Sequence, residues 1–382
     1  MKILIDDKIP YIKGVLEKVV DVKYFPGAKF PLKEVADSDA LIVRTRTKCS
    51  ESLLKDSKVK AIATATIGYD HIDTEYCNAN NIFWTNAPGC NSSSVQQYIT
   101  AAILHLAEKY SLKLSKLTLG VVGVGNVGTK VVKAGRALGM NVLMNDPPRK
   151  DAAIKSEGKS SASATGFCGL RKILAESDII TLHVPHTKDG KYPTHYLANQ
   201  YFIGNMKESA FLINSSRGPV ADNAILKKSL QDNLIRGAIL DVWENEPDID
   251  LELLKTVELG TPHIAGYSAD GKANGTAMSI NAISKIFELG LDKWFPENVP
   301  QPIETIIKID KGMTDFQIIK TAIDTTYNIQ KDAKNIKESP ENFEYLRGNY
   351  PLRREPTNYS IFLPKKNEGL VKTLEELGFT II

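Results

Sequence analysis

The sequence of 382 residues predicts an α/β protein with doubly wound, mostly parallel sheets. Short apolar runs alternate with segments of helical periodicity over residues 1–90, and a second alternating series begins near residue 117. A third and shorter series follows a proline-rich stretch that starts near residue 294. At about 100–200 residues per domain, the chain is long enough for two or three domains.

The first series contains short strands and one early helix. Apolar residues recur at helical spacing from Ile12 to Val19, so a helix is predicted over residues 12–20. The strands are apolar runs too short to be helices. They are predicted at residues 2–5, 40–44, 61–66 and 82–85. Strands that alternate with helices indicate a parallel sheet.

A long helix joins the first series to the second. Asn91 and the three serines after it supply N-cap residues, and Val95, Ile99 and Leu106 lie on one apolar face. The second series then continues with a helix at residues 126–138. Its strands are predicted at residues 117–122, 141–145, 179–183, 210–214, 237–241 and 257–260.

The third series begins after a stiff, proline-containing linker at residues 294–302. Strands are predicted at residues 305–309, 359–363 and 379–382, and helices at 315–329 and 369–377. The stretch between the first helix and the second strand is polar. This β-α-β-α-β order, in about 80 residues, suits a small open α/β sandwich.

Composition and charge exclude several classes of protein. The net charge is only +3, which argues against nucleic acid or an anionic membrane as partner. No run of about 18 apolar residues exists to span a bilayer, and the charged start of the chain is unlike a signal peptide. The four cysteines are scattered, with no C-x-x-C pair and no histidine at metal spacing. We therefore expect reduced thiols, a cytoplasmic protein and no metal site.

A glycine-rich turn opens the second series. Gly123, Gly125 and Gly128 form a G-x-G-x-x-G motif after an apolar strand and at the start of a helix. Such glycines allow a tight turn, a close approach to a pyrophosphate, and close packing of helix on strand. Asp146 ends the next strand, where a carboxylate binds ribose hydroxyls and repels a 2′-phosphate, although Arg149 is near enough to soften that preference. The motif predicts a Rossmann-like domain that binds NAD.

Three polar segments follow later strands and contain Arg217, Glu246 and His263. Hydride transfer from an alcohol requires a base for the hydroxyl proton and a cation for the substrate oxygens. A carboxylate beside His263 stabilises the imidazolium, so the ring can accept a proton, and Arg217 can bind a carboxylate as a fork. Among the other histidines, His183 is an open candidate for lining the nicotinamide pocket, and a structural role is expected for His71.

These motifs resemble those of the D-isomer-specific 2-hydroxyacid dehydrogenases. S-R-G at residues 216–218, D-V-W-x-x-E-P at 241–247 and P-H-I-A-G at 262–266 carry the resemblance, which covers residues 1–290. It implies an NAD-dependent oxidoreductase acting on a CH–OH group. Arg217 would anchor the substrate carboxylate and reacting oxygen, His263 would be the acid and base, and Glu246 would pair with His263. With the glycine motif, it predicts these cofactor-binding residues: Gly123, Gly125, Asn126, Val127, Gly128, Asp146, Val184, Ser215, Ser216, Arg217, Asp241 and Gly266.

The resemblance also implies substrate contacts in loops of the first series and at residue 267. They are Thr45, Thr66 and Tyr267. Further segments, at residues 86–92, 146–149, 263–268 and 349–355, resemble one branch of the family, whose substrate is a small phosphorylated hydroxy acid and whose C-terminal domain forms a homodimer. Arg44 and Arg46 are candidates for binding the phosphate. Surface ion pairs are the alternative for these two arginines.

A second group of arginines lies near the C-terminus. We hypothesise that Arg347, Arg353 or Arg354 of a second subunit adds to the phosphate site. The alternative is an exposed basic stripe that only packs the dimer. Replacing each by Ala would then leave the KM for the phosphorylated acid unchanged.

The predicted organisation is two Rossmann-like domains followed by a small α/β dimerisation domain. The substrate domain comprises residues 1–92 and 267–290, the NAD-binding domain residues 93–266, and the dimerisation domain residues 291–382. A cleft between the first two domains is expected to hold the substrate. Two other functions stay open. One is another D-2-hydroxyacid dehydrogenase, such as a phosphoglycerate dehydrogenase with a regulatory tail, and the other is an NAD-sensing protein without turnover.

Overall fold

The computed structural model describes residues 1–158, 162–364 and 367–382. It contains parallel sheets of five, six and three strands connected by helices, so the predicted α/β class is confirmed. The chain forms two compact units, one of Met1–Asn91 with Tyr267–Gln301 and one of Ser92–Gly266 with Pro302–Ile382. The three domain boundaries given above stay a prediction. Across the described ranges, no helix is long and apolar enough to cross a membrane.

The first unit contains a five-stranded sheet in the order β2-β1-β3-β4-β5. Its strands are β1 (Lys2–Asp6), β2 (Asp21–Phe25), β3 (Ala40–Val43), β4 (Ala61–Thr64) and β5 (Phe83–Thr85). The helices between them are α1 (Leu32–Ala36), α2 (Glu51–Leu54) and α3 (Thr74–Ala79). All neighbours are parallel, so the loops after β3 and β4 leave the sheet at the same edge.

The helix predicted at residues 12–20 is wrong. Only a single 3-10 turn forms there, Leu16–Lys18, and the unpredicted strand β2 follows it. Gly14 has a φ of +80°, which ends any helix at that point. Ile12 and Leu16 are nevertheless fully buried. Their helical spacing reflects a compact turn that buries both side chains, and the half-exposed edge strand gave no strong apolar signal.

The second unit begins with the long helix and a six-stranded sheet in the order β11-β10-β9-β8-β6-β7. Its strands are β6 (Thr118–Val122), β7 (Asn141–Asn145), β8 (Ile179–Leu182), β9 (Phe211–Asn214), β10 (Gly237–Leu240) and β11 (Leu259–Gly260). Its helices are α4 (Ser92–Lys109), α5 (Asn126–Ala137), α6 (Pro147–Glu157), α7 (Ala162–Thr165), α8 (Leu170–Glu176), α9 (Gln200–Gly204), α10 (Asn223–Gln231) and α11 (Leu251–Thr256). All six strands are parallel, so every loop that follows a strand lies at one edge.

The chain then returns to the first unit through the helix α12 (Ala269–Phe287). Ser268 caps this helix by accepting a hydrogen bond from the Gly271 amide. At Gly275 the helix lies so close to the loop after β4 that a Cβ atom would stand 2.5 Å from the Ala65 carbonyl oxygen. The small residue thus allows α12 to support that loop.

The C-terminal region adds a three-stranded parallel sheet to the second unit, in the order β12-β13-β14. Its elements are β12 (Ile306–Lys308), α13 (Asp315–Thr326), α14 (Ile329–Glu338), α15 (Phe343–Gly348), β13 (Ser360–Phe362), α16 (Glu368–Glu376) and β14 (Thr380–Ile381). The expected strand order along the chain is therefore present. The helix predicted at 315–329 ends early, because Tyr327 is extended and Asn328 caps a new helix.

Candidate active site

Three polar loops meet at the carboxyl edge of the six-stranded sheet. They follow β9, β10 and β11, which are neighbours in the sheet, and they carry Arg217, Glu246 and His263. Arg217 and His263 are 46 positions apart in the sequence. Their loops lie side by side because they follow neighbouring parallel strands. This edge is where ligands bind in open α/β sheets.

His263 and Glu246 form a direct pair. Nδ1 of the imidazole lies 2.7 Å from Oε2 of the carboxylate, and Oε1 accepts the Trp243 amide at 2.9 Å. Burial raises the pKa of Glu246, but the hydrogen bond and charge of His263 lower it more, so the pKa ends below its usual range. Glu246 is thus an anion that orients the ring. A proton on Nδ1 leaves Nε2 to exchange a proton with a ligand.

The backbone of His263 is held by Asp241. The His263 amide donates to the Asp241 carbonyl at 2.7 Å, and the residue has a φ of +56°. The Asp241 carboxylate accepts the Ile264 amide at 2.8 Å, the Ala265 amide at 2.9 Å and the Thr261 hydroxyl at 2.7 Å. Burial raises the pKa of this carboxyl. Asp241, predicted as a cofactor contact, therefore lies in the interior as a support for the histidine loop.

The Arg217 loop is packed against the loop that carries Glu246. A Cβ atom at Gly218 would stand 1.9 Å from the Trp243 carbonyl oxygen, so only glycine allows this approach. The Arg217 guanidinium donates to the Ser216 carbonyl at 2.8 Å. The side-chain Nδ2 of Asn214 donates to the Arg217 backbone carbonyl at 3.0 Å. The S-R-G sequence is thereby fixed at the end of β9.

The glycine-rich turn between β6 and α5 contains two glycines that close packing requires and one glycine that faces open space. A Cβ atom at Gly123 would stand 2.6 Å from the His183 carbonyl oxygen. A Cβ atom at Gly128 would stand 2.0 Å from the Gly123 carbonyl oxygen. Gly123 also has a φ of +86° and lies beside Val184. At Gly125 a Cβ atom would meet nothing within 4 Å. Backbone at this point is open to an anion, and the first turn of α5 adds amide donors.

The remaining predicted cofactor residues lie along the same edge. Asp146 follows β7, and its carboxylate accepts the Val124 amide at 2.8 Å and the Arg149 amide at 3.0 Å. Ser215 follows β9, and its buried hydroxyl oxygen has no hydrogen-bond partner within the described ranges. Ser216 donates to Asn214 at 2.8 Å. Asn126, Val127 and Gly266 lie at the start of α5 and after the histidine loop. The open glycine, the acid at the end of β7 and the orphaned hydroxyl fit a dinucleotide.

The predicted substrate residues of the first unit lie on loops after β3 and β4 and before α12. Arg44 donates to the Lys8 carbonyl at 3.2 Å, and Thr45 and Arg46 are exposed. The Thr66 hydroxyl donates to the Gly68 carbonyl at 2.9 Å. Tyr267 precedes the cap of α12, with the Lys272 ammonium 4.9 Å from its ring. The substrate roles of these residues stay predictions.

Two other histidines carry perturbed acid–base properties. Burial lowers the pKa of His183 to about 3 and that of His71 to about 4. His183 bonds Thr181 at 3.0 Å, and His71 bonds Thr64 at 3.1 Å. Both rings are therefore neutral near pH 7. His71 lies in the loop before α3, which starts three residues later at Thr74.

The hypothesis that Arg353 or Arg354 reaches a second subunit is wrong for this fold. Arg353 is 4% exposed and Arg354 is 5% exposed. Arg353 donates to backbone carbonyls at Ile264 and Ala265, and Arg354 donates to Asn358. The alternative of an exposed basic stripe is also wrong for these two residues. Neither burial nor partners could be read from the sequence, because arginine is ordinarily a surface residue.

Sequence reasoning also missed the residues that support the histidine loop. Tyr98 on α4 bonds the Thr261 hydroxyl at 2.8 Å, and Thr261 in turn bonds Asp241. The Trp243 indole donates to the Thr261 carbonyl at 3.0 Å. The pairing of a helix tyrosine with a residue 163 positions later left no local signal. Within the described ranges, no group of three or more His, Cys, Asp or Glu residues could hold a metal ion.

Comparisons with known proteins agree with this geometry. Residues 93–265 match the family described as D-isomer specific 2-hydroxyacid dehydrogenase, NAD binding domain. Residues 299–378 match a family described only as a domain of unknown function. The D-lactate dehydrogenase from Aquifex aeolicus, solved with NAD and lactic acid, shares 27% identity and a TM-score of 0.61, over 79% of this chain and 100% of that chain.

Curated relatives are similar over nearly the whole chain. Erythronate-4-phosphate dehydrogenase of Bacteroides fragilis is 47% identical over 96% of this chain and 100% of the relative, and that of Bacteroides thetaiotaomicron is 48% identical over 94% and 99%. The Proteus mirabilis enzyme of the same name is 37% identical over 99% of both. The chain therefore belongs to the D-isomer-specific 2-hydroxyacid dehydrogenases, in the group of the erythronate-4-phosphate dehydrogenases. Its six-stranded domain is an NAD-binding domain.

Proposed function

We propose that this protein oxidises 4-phospho-D-erythronate to 2-oxo-3-hydroxy-4-phosphobutanoate with NAD, in the biosynthesis of pyridoxal 5′-phosphate (vitamin B6). The observation that carries the proposal is the His263–Glu246 pair beside the Arg217 loop, on three adjacent loops of an NAD-binding sheet. The names of the relatives supply the particular substrate.

The chemistry divides between the cofactor and the chain. When bound, NAD supplies the acceptor for the hydride that leaves C2. The open backbone at Gly125, the first turn of α5 and Asp146 would hold the dinucleotide. The buried Ser215 hydroxyl is an additional donor at this edge. No residue of the described ranges is required to change its oxidation state.

The proton and the substrate charges are handled by side chains. His263 accepts the proton of the C2 hydroxyl as the C–O bond becomes a carbonyl, and Glu246 stabilises the imidazolium that results. The Arg217 guanidinium binds the carboxylate and the reacting oxygen. For the reverse reaction, the same imidazolium returns the proton. Two electrons and one hydrogen leave C2 as hydride, and one proton leaves the oxygen, so the oxidation is balanced.

We propose further that Thr45, Thr66 and Tyr267 contact the substrate and that Arg44 and Arg46 bind its phosphate. Thr45 and Arg46 are exposed on a short loop after β3. Two arginines separated by one residue on the same loop suit a dianionic phosphate. Arg44 donates to the Lys8 backbone carbonyl, which is a neutral acceptor, so this contact does not neutralise the guanidinium charge.

A homodimer is also proposed, formed through the C-terminal sheet. Ile306, Phe362 and Ile382 lie on one face of this sheet and are 49%, 53% and 46% exposed. Register places Lys308 beside Phe362, while Ile307 and Ile361 lie on the opposite, buried face. An apolar sheet face of this kind is stabilised when a second copy covers it.

A cytoplasmic location is supported by four cysteines that form no disulfide.

The deciding experiment measures the absorbance of reduced nicotinamide after mixing the protein with NAD and 4-phospho-D-erythronate. We expect turnover with this acid and much slower turnover with 3-phosphoglycerate. A preference for 3-phosphoglycerate would assign the chain to the phosphoglycerate branch. NAD binding with no turnover on either acid would favour a sensor of NAD over an enzyme.

A further inference from the structure

The C-terminal region contacts the peptide segment directly after His263 through a buried arginine. Arg353, which is 4% exposed, donates from Nη1 to the Ile264 carbonyl at 3.4 Å. Its Nη2 donates to the Ala265 carbonyl and to the backbone carbonyl of Ser94, the latter at 3.3 Å. Nη2 also donates to the Ser94 hydroxyl. One guanidinium therefore binds two consecutive carbonyls of the histidine loop and the start of α4.

The backbone amides of the same two residues are bound by an anion, so the peptide group between Ile264 and Ala265 is held at both its carbonyl and its N–H. Asp241 accepts the amides of Ile264 and Ala265 at 2.8 and 2.9 Å. A cation on the carbonyls and an anion on the amides match the polarity of the peptide dipoles. The Ser94 hydroxyl strengthens the carbonyl side by donating to Ala265 at 2.8 Å. The segment that follows His263 is thus held from both directions.

Arg353 is itself held by groups that belong to the C-terminal region. Its guanidinium carbon lies 4.4 Å from the centre of the Tyr327 ring and 5.9 Å from that of Tyr350. The Tyr350 hydroxyl donates to the Asp332 carboxylate at 2.6 Å. A buried arginine is costly unless its charge and donors are matched. Here Nη1 and Nη2 have acceptors and the cation lies beside two aromatic rings, whereas Nε has no hydrogen-bond partner within the described ranges. The arrangement fixes where the guanidinium can point.

We propose that Arg353 is a positioning residue for His263, and that the C-terminal region contributes to catalysis within its own chain by fixing the histidine loop. The catalytic part of the inference rests on the proposed function. It assigns a role to a region whose family is described only as a domain of unknown function. A shift of the loop would move the imidazole from its working position, to which hydride and proton transfer are sensitive.

The first test does not depend on activity. Hydrogen exchange of the amides of Ile264 and Ala265 is measured in the wild type, Arg353→Lys and the matched control Arg354→Lys. Lysine keeps the buried charge but cannot bridge the four acceptors as a planar fork. We expect exchange at these two amides to be at least tenfold faster in Arg353→Lys than in Arg354→Lys, with other buried amides of the sheet unchanged.

The second test uses steady-state kinetics with NAD and 4-phospho-D-erythronate. We expect Arg353→Lys to lower kcat by roughly 10- to 100-fold and to leave the KM for NAD unchanged, because the glycine-rich turn is untouched. Arg354→Lys is expected to keep the wild-type kcat. If Arg353→Lys does not fold, Ser94→Ala tests the same set of contacts, because the Ser94 hydroxyl bonds both Arg353 and the Ala265 carbonyl. We then expect a smaller rise in hydrogen exchange at the Ala265 amide.

The outcomes separate the inference from the proposed function. Unchanged exchange at both amides, or equal changes in the two lysine variants, would show that Arg353 does not hold the histidine loop. Faster exchange with an unchanged kcat would overturn the role in catalysis. If the wild type itself has no turnover, the proposed function fails, and the exchange experiment still decides whether Arg353 holds the loop.

Discussion

Two carboxylates near His263 have opposite surroundings and therefore opposite tasks. Glu246 accepts from the imidazole and has a pKa below its usual range, so it is charged wherever the enzyme works. Asp241 is 1% exposed, and burial raises its pKa, yet three donors occupy its oxygens. The first carboxylate orients the imidazole, and the second shapes the backbone that carries it.

Replacing His263 by glutamine is expected to lower kcat by about 10²- to 10⁴-fold, because His263 is the proposed acceptor of the hydroxyl proton and glutamine cannot take it. The affinity for NADH should stay unchanged, since the glycine-rich turn is separate from the imidazole. Stopped-flow or steady-state turnover and titration of NADH fluorescence measure the two quantities. His105→Gln, on the middle of α4, is the control. A variant that keeps wild-type turnover would remove His263 from the mechanism.

At the scale of elements, short distances between backbone segments decide where glycine is needed. The turn from β6 into α5 brings Gly128 against the Gly123 carbonyl, and the end of β9 brings Gly218 against the Trp243 carbonyl. Gly125 has open space at the same turn. Gly128 and Gly218 are thus required for close packing, whereas Gly125 faces open space.

Gly128→Ala is expected to weaken NAD binding by at least tenfold and to destabilise the protein by roughly 1–3 kcal/mol, because its Cβ would stand 2.0 Å from a carbonyl oxygen. Isothermal titration and chemical denaturation measure these effects. Gly169→Ala is the matched control, since a Cβ there meets nothing within 4 Å and the residue has a φ of −73°. Equal losses in both variants would contradict the packing argument.

Glu258 ties the long helix α4 to the segment before β11. Burial raises the pKa of Glu258, but hydrogen bonds from His105, Lys109 and Tyr110 lower it more, to about 2. A folded-state pKa below the unfolded one means that the stabilisation is present above the usual glutamate pKa. It is lost as the pH falls through that value toward 2.

Glu258→Gln is therefore expected to lower the free energy of unfolding at pH 7 by roughly 2–3 kcal/mol relative to the wild type. The difference between the two proteins should shrink as the pH falls below about 4.5. Urea denaturation at several pH values measures it. Glu252→Gln, an exposed residue of α11, should show no such difference. A gap that stays constant with pH would show that the charge of Glu258 is not the cause.

At the scale of the whole molecule, the C-terminal sheet presents an apolar face that the described chain does not cover. Phe362→Asp is expected to shift the proposed homodimer to a monomer, because a carboxylate at the centre of that face resists burial. Light scattering coupled to size exclusion measures the mass. Phe83→Asp, at an exposed position of β5, is the control. A dimer that persists in Phe362→Asp would place the interface elsewhere.

Prediction from sequence was most successful where local periodicity and turn chemistry agree. The strands β6 to β10 and the glycine-rich turn follow the predicted pattern, because buried parallel strands are continuous apolar runs. It failed near residues 12–20, where Gly14 breaks a helical pattern, and near Tyr327, where an extended residue divides one helix into two. In both places a single backbone conformation overrode the spacing of apolar side chains.

The sequence by itself determined the class of fold and the glycine-rich turn, and it singled out Arg217, Glu246 and His263 as the candidate catalytic residues. Each depends on residues within a few positions of one another, or on the simple rule that parallel strands end at one edge. Only the tertiary structure decided that Asp241 and Arg353 hold opposite sides of the peptides after His263, and that Arg353 is an interior residue. The physical reason is that these contacts join residues 23 and 89 positions apart, and burial and distance between such residues are properties of the folded chain.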